Sequence, residues 1–220
     1  MSKVLKKEFR HIENWVFDMD GTLYPPENGL EDALWDAWYD FFKVKRGYSR
    51  EEVDKRSSIY EKEYDGNMFY GWMIEENISF NELIHVFDSV DHSFIERCEC
   101  TKEGVEALPG RKFIFTNAHF NRIDVVLERL GLLGHFDGLF YVRKIDDVVK
   151  PNPLVYDRFC VIHNVDPKMS IFHEDSVKNL KPAHDMGMRT VLLHKLSKEK
   201  PEYVDYTSRS IADWLSNVWE

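Results

Sequence analysis

The sequence predicts an α/β fold in which a parallel sheet is wrapped by helices and interrupted by a helical insertion. Three features carry that expectation: short apolar runs rich in Val, Ile and Phe, helix-length segments alternating with them in the second half, and a long early interval without strands. Short continuous apolar runs are what strands buried on both faces require. Strand and helix alternation marks parallel crossovers.

The first run covers residues 15–17. The interval 24–109 then breaks the alternation. Leu30, Leu34, Trp38 and Phe41 recur there at helical spacing, and Ser49 with Glu52 and Ser79 with Glu82 fit the capping box. Three or four helices are expected, forming a cap over 24–109 and leaving 1–23 and 110–220 as the core. Pro109 and Gly110 mark the return to the sheet. Strands are expected at 112–115, 138–142, 170–172 and 189–193, with helices at 121–130, 154–163 and 178–186. Gly131 stops the first of these helices, and Asn152 with Pro153 starts the second as N-cap and first helical residue.

Composition bounds the function. The 220 residues suffice for a buried core with an inserted lobe, and 43% hydrophobic with 31% charged residues is ordinary for a globular chain. A formal net charge of -10 disfavours a nucleic acid polymer as partner. The N-terminal stretch has no apolar segment of the roughly 7–15 residues a secretory signal needs, and no run approaches the ~18 apolar residues of a membrane span. A cytoplasmic protein with no membrane partner is expected. Cys98, Cys100 and Cys160 are read as reduced thiols, too few for a four-ligand zinc site without distant histidines.

The chemistry gathers where the apolar runs end. Asp18 and Asp20 stand two residues apart after the first run, at the carboxyl edge where open parallel sheets bind ligands. The first carboxylate can attack phosphorus, and the second can donate a proton to the leaving oxygen and later take one from water. Asp-x-Asp is also common in turns and calcium loops. Gly21 allows a sharp turn and a close approach of backbone amides. Thr116 and Asn117 end the second strand, where a hydroxyl and amides can hold a phosphoryl oxygen or simply cap a helix. Lys150, before Pro151, is either a point charge for the phosphoryl group and Asp18 or a solvated lysine. Glu174 and Asp175 suit a hard cation with oxygen ligands, magnesium being the natural choice, or complement a helix start. Their appearance at four successive strand ends favours one shared site.

Phe17-Asp18-Met19-Asp20-Gly21-Thr22, Phe115-Thr116-Asn117, Lys150-Pro151 and Phe172-His173-Glu174-Asp175-Ser176 closely resemble the haloacid dehalogenase-like superfamily of phosphotransferases. The resemblance spans nearly the whole chain. It implies a doubly wound, Rossmann-like core with an inserted α-helical cap, Asp18 as nucleophile, Asp20 as acid/base, Thr116, Asn117 and Lys150 on the phosphate, and Mg2+ on Asp18, Asp175 and the Asp20 carbonyl with Glu174 in support. Haloacid dehalogenases lack the second aspartate, which makes a dehalogenase improbable here. Trp15 to Asp18 with Leu23-Tyr24-Pro25-Pro26, Leu108-Pro109-Gly110-Arg111, Tyr156-Asp157-Arg158-Phe159 and Pro182-Ala183-His184-Asp185-Met186-Gly187-Met188 resemble the pyrimidine 5'-nucleotidase subgroup. This implies a small phosphorylated metabolite as partner, a mononucleotide such as UMP or CMP. Ala118-His119 and Asp20-Gly21 depart from the subgroup pattern. A phosphosugar phosphatase or mutase and a silent phospho-ligand sensor are the competing expectations. Cap aromatics, among them Trp35, Trp38, Tyr39, Phe69, Tyr70 and Trp72, serve mainly as core, with one or two available to stack on a base. His119 and His173 are expected to pack or hydrogen-bond.

Overall fold

The computed structural model describes residues 3–142, 148–194 and 200–220. Its strands are β1 (Asn14–Phe17), β2 (Arg111–His119), β3 (Gly138–Val142), β4 (Ser170–Glu174), β5 (Arg189–Leu193) and β6 (Tyr206–Ser208). They form one sheet in the order β3-β2-β1-β4-β5-β6, and every pairing is parallel. β1 lies inside, with Phe17 level with Ile114 on one side and His173 on the other. All of β1 is buried, which is why its sequence reads as an unbroken apolar run rather than an alternation.

Helices cover both faces, so the fold is the expected doubly wound α/β. On one face Trp15, Phe17, Ile114 and Ile171 pack with residues of α5 (Glu99–Ala107), α6 (Phe120–Leu130) and α9 (Ile211–Asn217). On the other, Val16, Phe113, Phe115 and Phe172 meet α7 (Pro153–His163) and α8 (Val177–Asp185). β6 and α9 extend the fold beyond the elements expected from sequence.

The early interval supplies α1 (Leu30–Arg46), α2 (Arg50–Glu63), α3 (Met68–Glu76) and α4 (Phe80–Asp88). Both capping boxes form at Ser49/Glu52 and Ser79/Glu82. These helices bury Trp38, Phe42, Val53, Tyr60 and Trp72 in a separate core. A Cβ on Gly71 would come 2.4 Å from Tyr60 Cβ, so glycine permits the close approach of α3 to α2. Arg56 Nη1 and the Tyr48 hydroxyl hold the buried Glu76 carboxylate at 2.7 and 3.0 Å.

The expected cap boundary of 24–109 needs correction. Tyr24, Leu30, Ile95, Val105 and Leu108 belong to the sheet-face core, and α5 packs so closely on α9 that a Cβ on Gly104 would lie 2.8 Å from Leu215 Cβ. The separate lobe is therefore α1 to α4. α5 shares the amphipathic pattern of the lobe helices, so its sequence does not reveal which core its apolar face meets. The lobe joins the core through a narrow neck, where Gly29 (φ +91°) lies against the Phe94 ring, 3.4 Å from where a Cβ would stand. Among the described residues no helix is long and apolar enough to cross a membrane.

Candidate active site

The carboxyl ends of β1, β2 and β4 bring the predicted residues together. The Asp18 amide donates to the His173 carbonyl at 2.9 Å, extending the β1–β4 pairing by one residue and aiming its side chain over the sheet edge. Lys150 Nζ, buried, donates to Asp18 Oδ1 at 2.7 Å, to Glu174 Oε2 at 2.7 Å and to the Phe115 carbonyl at 2.9 Å. An ammonium has three hydrogens. All are engaged within the protein, so what Lys150 can offer a ligand in this arrangement is its charge rather than a hydrogen bond of its own.

The Asn117 side chain is likewise engaged within the protein. Its side-chain Nδ2 donates to the Lys150 carbonyl at 3.0 Å and its Oδ1 accepts from the Lys150 amide at 2.9 Å. The side chain clamps the lysine loop, so any contact of this residue with a ligand would fall to its backbone, in keeping with the amides named from the sequence. The neighbouring Thr116 Oγ1 accepts from the Ala118 amide at 3.0 Å, at the point where the β2–β3 register is interrupted between Phe115 and His119. That interruption keeps the hydroxyl and amides of 116–118 from following the ladder of β2.

Glu174 is a supporting group: Oε1 accepts from the Ser176 amide at 3.1 Å, and Oε2 from Asn179 Nδ2 at 3.1 Å as well as from Lys150. Asp175 is fitted against Gly21, whose φ is +71° and whose added Cβ would stand 3.0 Å from Asp175 Oδ2. One carboxylate oxygen each from Asp18, Glu174 and Asp175 lies within 4.8 Å of the others. Burial, then Glu174, pushes the Asp18 carboxyl well above the usual carboxylate range, while Lys150 pulls it back. Burial also works against the Lys150 ammonium, but Asp18 and Glu174 more than restore it. Lys150 bridges two of these acids, Asp18 and Glu174. Three carboxylate oxygens gathered this closely are a donor set that suits a hard divalent cation.

The Asp20 carboxylate stands outside this acidic group. The Tyr24 hydroxyl donates to Asp20 Oδ1 at 2.5 Å, and Arg122 Nη2 on α6 donates to the same oxygen. Burial and Asp20 both hold the Tyr24 phenol above its ordinary range, so it remains a donor. Neither partner was singled out in the sequence for a role. Arg122 did leave one local signal: a cation in the first turn of a helix opposes the helix dipole, and such a residue needs an anion nearby.

The other expected candidates have structural places. His173 is fully buried, stacks on Phe17 with centroids 4.4 Å apart, and bonds through Nδ1 to the Val16 carbonyl at 2.8 Å. A carbonyl only accepts, so Nδ1 carries a hydrogen; burial lowers the imidazole pKa to about 4, which favours the neutral ring near pH 7. His119 lies at the N-terminus of α6 with its ring against Phe80. Between the lobe and the core is a cavity of about 260 Å3 whose walls include Trp35, Trp38 and Phe69 from the lobe and Asn117, Ala118 and Arg122 from the core. Trp72, by contrast, sits in the lobe core and donates Nε1 to Ser57 Oγ at 3.0 Å.

Residues 15–193 match the family model described as haloacid dehalogenase-like hydrolase. The chain belongs to that family. The structure of this haloacid dehalogenase-like hydrolase is similar to that of a HAD phosphatase from Thermococcus onnurineus (22% identity, TM-score 0.61, covering 93% of this chain and 97% of the other). It is also similar to the L-2-haloacid dehalogenase of Xanthobacter autotrophicus (14% identity, TM-score 0.58, covering 93% and 97%). At those identities the likeness shows the fold. In sequence, the hydrolase is 23% identical over 195 residues to Phosphate metabolism protein 8 of Saccharomyces cerevisiae, covering 81% of this chain and 60% of that protein. A shorter stretch of 60 residues is 38% identical to Bifunctional epoxide hydrolase 2 of Mus musculus, covering 27% of this chain and 11% of that protein. The matched stretches thus span less than two thirds of the first of these curated relatives and about a tenth of the second.

Proposed function

We propose that this hydrolase is a magnesium-dependent phosphomonoesterase that forms an aspartyl-phosphate on Asp18, with pyrimidine nucleoside 5'-monophosphates such as UMP and CMP as its substrates. The observation that carries the reading is the second carboxylate, Asp20, held apart from the acidic cluster by Tyr24 and Arg122. An alkoxide leaving group needs a proton; a halide does not.

In the first step an Asp18 carboxylate oxygen bonds to phosphorus as the bond to the leaving oxygen breaks, and the Asp20 carboxyl passes a proton to that oxygen. In the second step water attacks the phosphorus, Asp20 takes its proton, and the acyl-phosphate bond breaks to return the Asp18 carboxylate and inorganic phosphate. Thr116 and the amides near Asn117 bind the phosphoryl oxygens, and Lys150 keeps Asp18 oriented. Magnesium, held by Asp18, Asp175 and the Asp20 carbonyl with Glu174 in support, supplies charge that offsets the repulsion between nucleophile and phosphate. The leaving group occupies the cavity beside Arg122, where Trp35 and Phe69 offer faces for a base.

The test is phosphate release from UMP, CMP, AMP, GMP and small sugar phosphates with Mg2+. Pyrimidine nucleotides should lead in kcat/KM by at least about tenfold, equivalent to ~1.4 kcal/mol, and Trp35→Ala or Phe69→Ala should erase the lead while p-nitrophenyl phosphate is still cleaved. A preference for a sugar phosphate would discard the nucleotide reading. An isomerised sugar phosphate without phosphate release would establish a mutase, and binding without turnover across the panel would establish a sensor.

A further inference from the structure

Arg122 occupies a position that the phosphatase reading does not by itself require. Its side chain is only 11% exposed, yet it carries a charge, and it stands on the wall of the lobe–core cavity while paired with Asp20. Its Nη2 donates to Asp20 Oδ1 and lies 3.5 Å from the Tyr24 hydroxyl oxygen. Arg122 can only donate, so the tyrosine hydrogen is directed to Asp20, and both donors converge on the one oxygen, Oδ1. The carboxyl is thereby pinned about its terminal torsion, a broad and soft rotation when left alone. A proton exchanged with substrate must then ride on Oδ2.

We infer that Arg122, with Tyr24, is a positioning residue that fixes Asp20 so that Oδ2 faces the oxygen of a leaving group seated in the adjoining cavity. This rests on the phosphomonoesterase reading and deepens it: the chain is matched to esters whose leaving oxygen needs a proton, the unactivated alkyl phosphates, and Arg122 connects the cavity that accepts the leaving group to the acid that protonates it. Removing Arg122 frees the carboxyl to rotate and loses part of the factor of roughly 10² to 10⁴ that a positioned general acid contributes. An ester with a stable phenolate leaving group forfeits little.

The test compares kcat/KM for phenethyl phosphate and p-nitrophenyl phosphate in the full chain with Mg2+. This parameter covers the steps up to departure of the leaving group and is insensitive to the later hydrolysis of the aspartyl-phosphate. Arg122→Met is expected to lower it at least ~30-fold for the alkyl ester and less than ~3-fold for the aryl ester, with Arg122→Lys recovering part of the loss. Tyr24→Phe, which keeps the packing and removes only a hydroxyl, should move the same ratio by about 3–10-fold. In an Asp20→Asn background Arg122→Met should add no selective loss, as required of residues that act through one another. Equal losses on both esters, additive effects with Asp20→Asn, or an unchanged ratio in Tyr24→Phe would overturn the inference even if Arg122→Met proved too unstable to assay. Failure of the wild-type chain to release phosphate from either ester would instead defeat the phosphatase reading on which it stands.

Discussion

Lys150→Met tests whether the site is held by charge. In the native arrangement one buried ammonium lies 2.7 Å from both Asp18 and Glu174, and the side chains of Lys150 and Glu174 are each 1% exposed. Methionine keeps the length and removes the charge, leaving two carboxylates facing each other out of water. Removing one partner of a buried ion pair costs about 3–5 kcal/mol; for a chain of this size each kcal/mol moves Tm by about 2–4 °C, so Tm should fall by about 6–20 °C. The sign of the pH dependence follows from the cause. Without Lys150 the carboxylates bind protons more tightly when folded than unfolded, so stability is retained at acidic pH and lost as pH rises. The assay is urea denaturation in EDTA at pH 5 and pH 8, with the larger deficit expected at pH 8, and with Lys150→Met/Glu174→Gln losing less than the sum of its single variants. A deficit below ~1 kcal/mol at pH 8, or additive losses, would refute the shared-lysine account.

Asp18→Asn should abolish turnover yet remain folded. Because the Asp18 carboxyl is raised above its ordinary 3.8, the metal-free wild type should lose stability as pH rises above about 4, Asp18→Asn should be spared that loss, and Mg2+ should restore the wild type; parallel Tm profiles for the two proteins in EDTA would contradict this. His173, lowered from 6.5 to about 4, contributes stability that is full above pH 6.5 and is lost as pH falls towards 4. At ~1.4 kcal/mol per unit this is about 3 kcal/mol. His173→Phe should therefore show a flatter stability profile between pH 6.5 and 4 in urea titrations, and an unchanged slope would count against a buried neutral imidazole. Gly21→Ala places a methyl in a left-handed turn against Asp175; a loss of about 1–2 kcal/mol is expected, with at least about threefold more Mg2+ needed for half-maximal activity, and an unaltered metal requirement would separate Gly21 from Asp175.

The parts of the site legible in the sequence are those whose neighbours are local. Asp18, Asp20, Thr116, Lys150, Glu174 and Asp175 each follow an apolar run, and a parallel sheet carries strand ends to one edge. The strands at residues 138–142 and 189–193 have the bounds their apolar runs imply, and those expected at 15–17, 112–115 and 170–172 differ by a few residues at their ends. Long-range pairings were not legible. Arg122 meets Asp20 across 102 residues of chain, and nothing in the spacing of Asp-x-Asp announces a cationic partner on a distant helix. Asn117 reads as part of a turn whose amides follow Thr116, and the pairing of its side chain with the Lys150 backbone, 33 residues away, has no signal in the sequence. α5 reads with the cap because an apolar face does not reveal what it covers. The aromatic lobe likewise conceals that Trp72 lies in its core while Trp35 and Phe69 border the cavity.

The neck at Gly29 and Phe94 bears on how much the lobe weighs on the rest of the molecule. The inserted helices leave and re-enter the core at nearly the same point, so to the sheet domain they are a single loop whose closure cost grows only with the logarithm of its length. Lengthening, shortening or replacing the lobe therefore adds little closure entropy to the pairing of β1 with β2, while what ties lobe to core beyond the neck includes side-chain pairs such as Asp88 with Asn121 and Glu61 with Lys178. Sequence change in the lobe can reshape the cavity it shares with the core at little entropic cost to the sheet that carries Asp18.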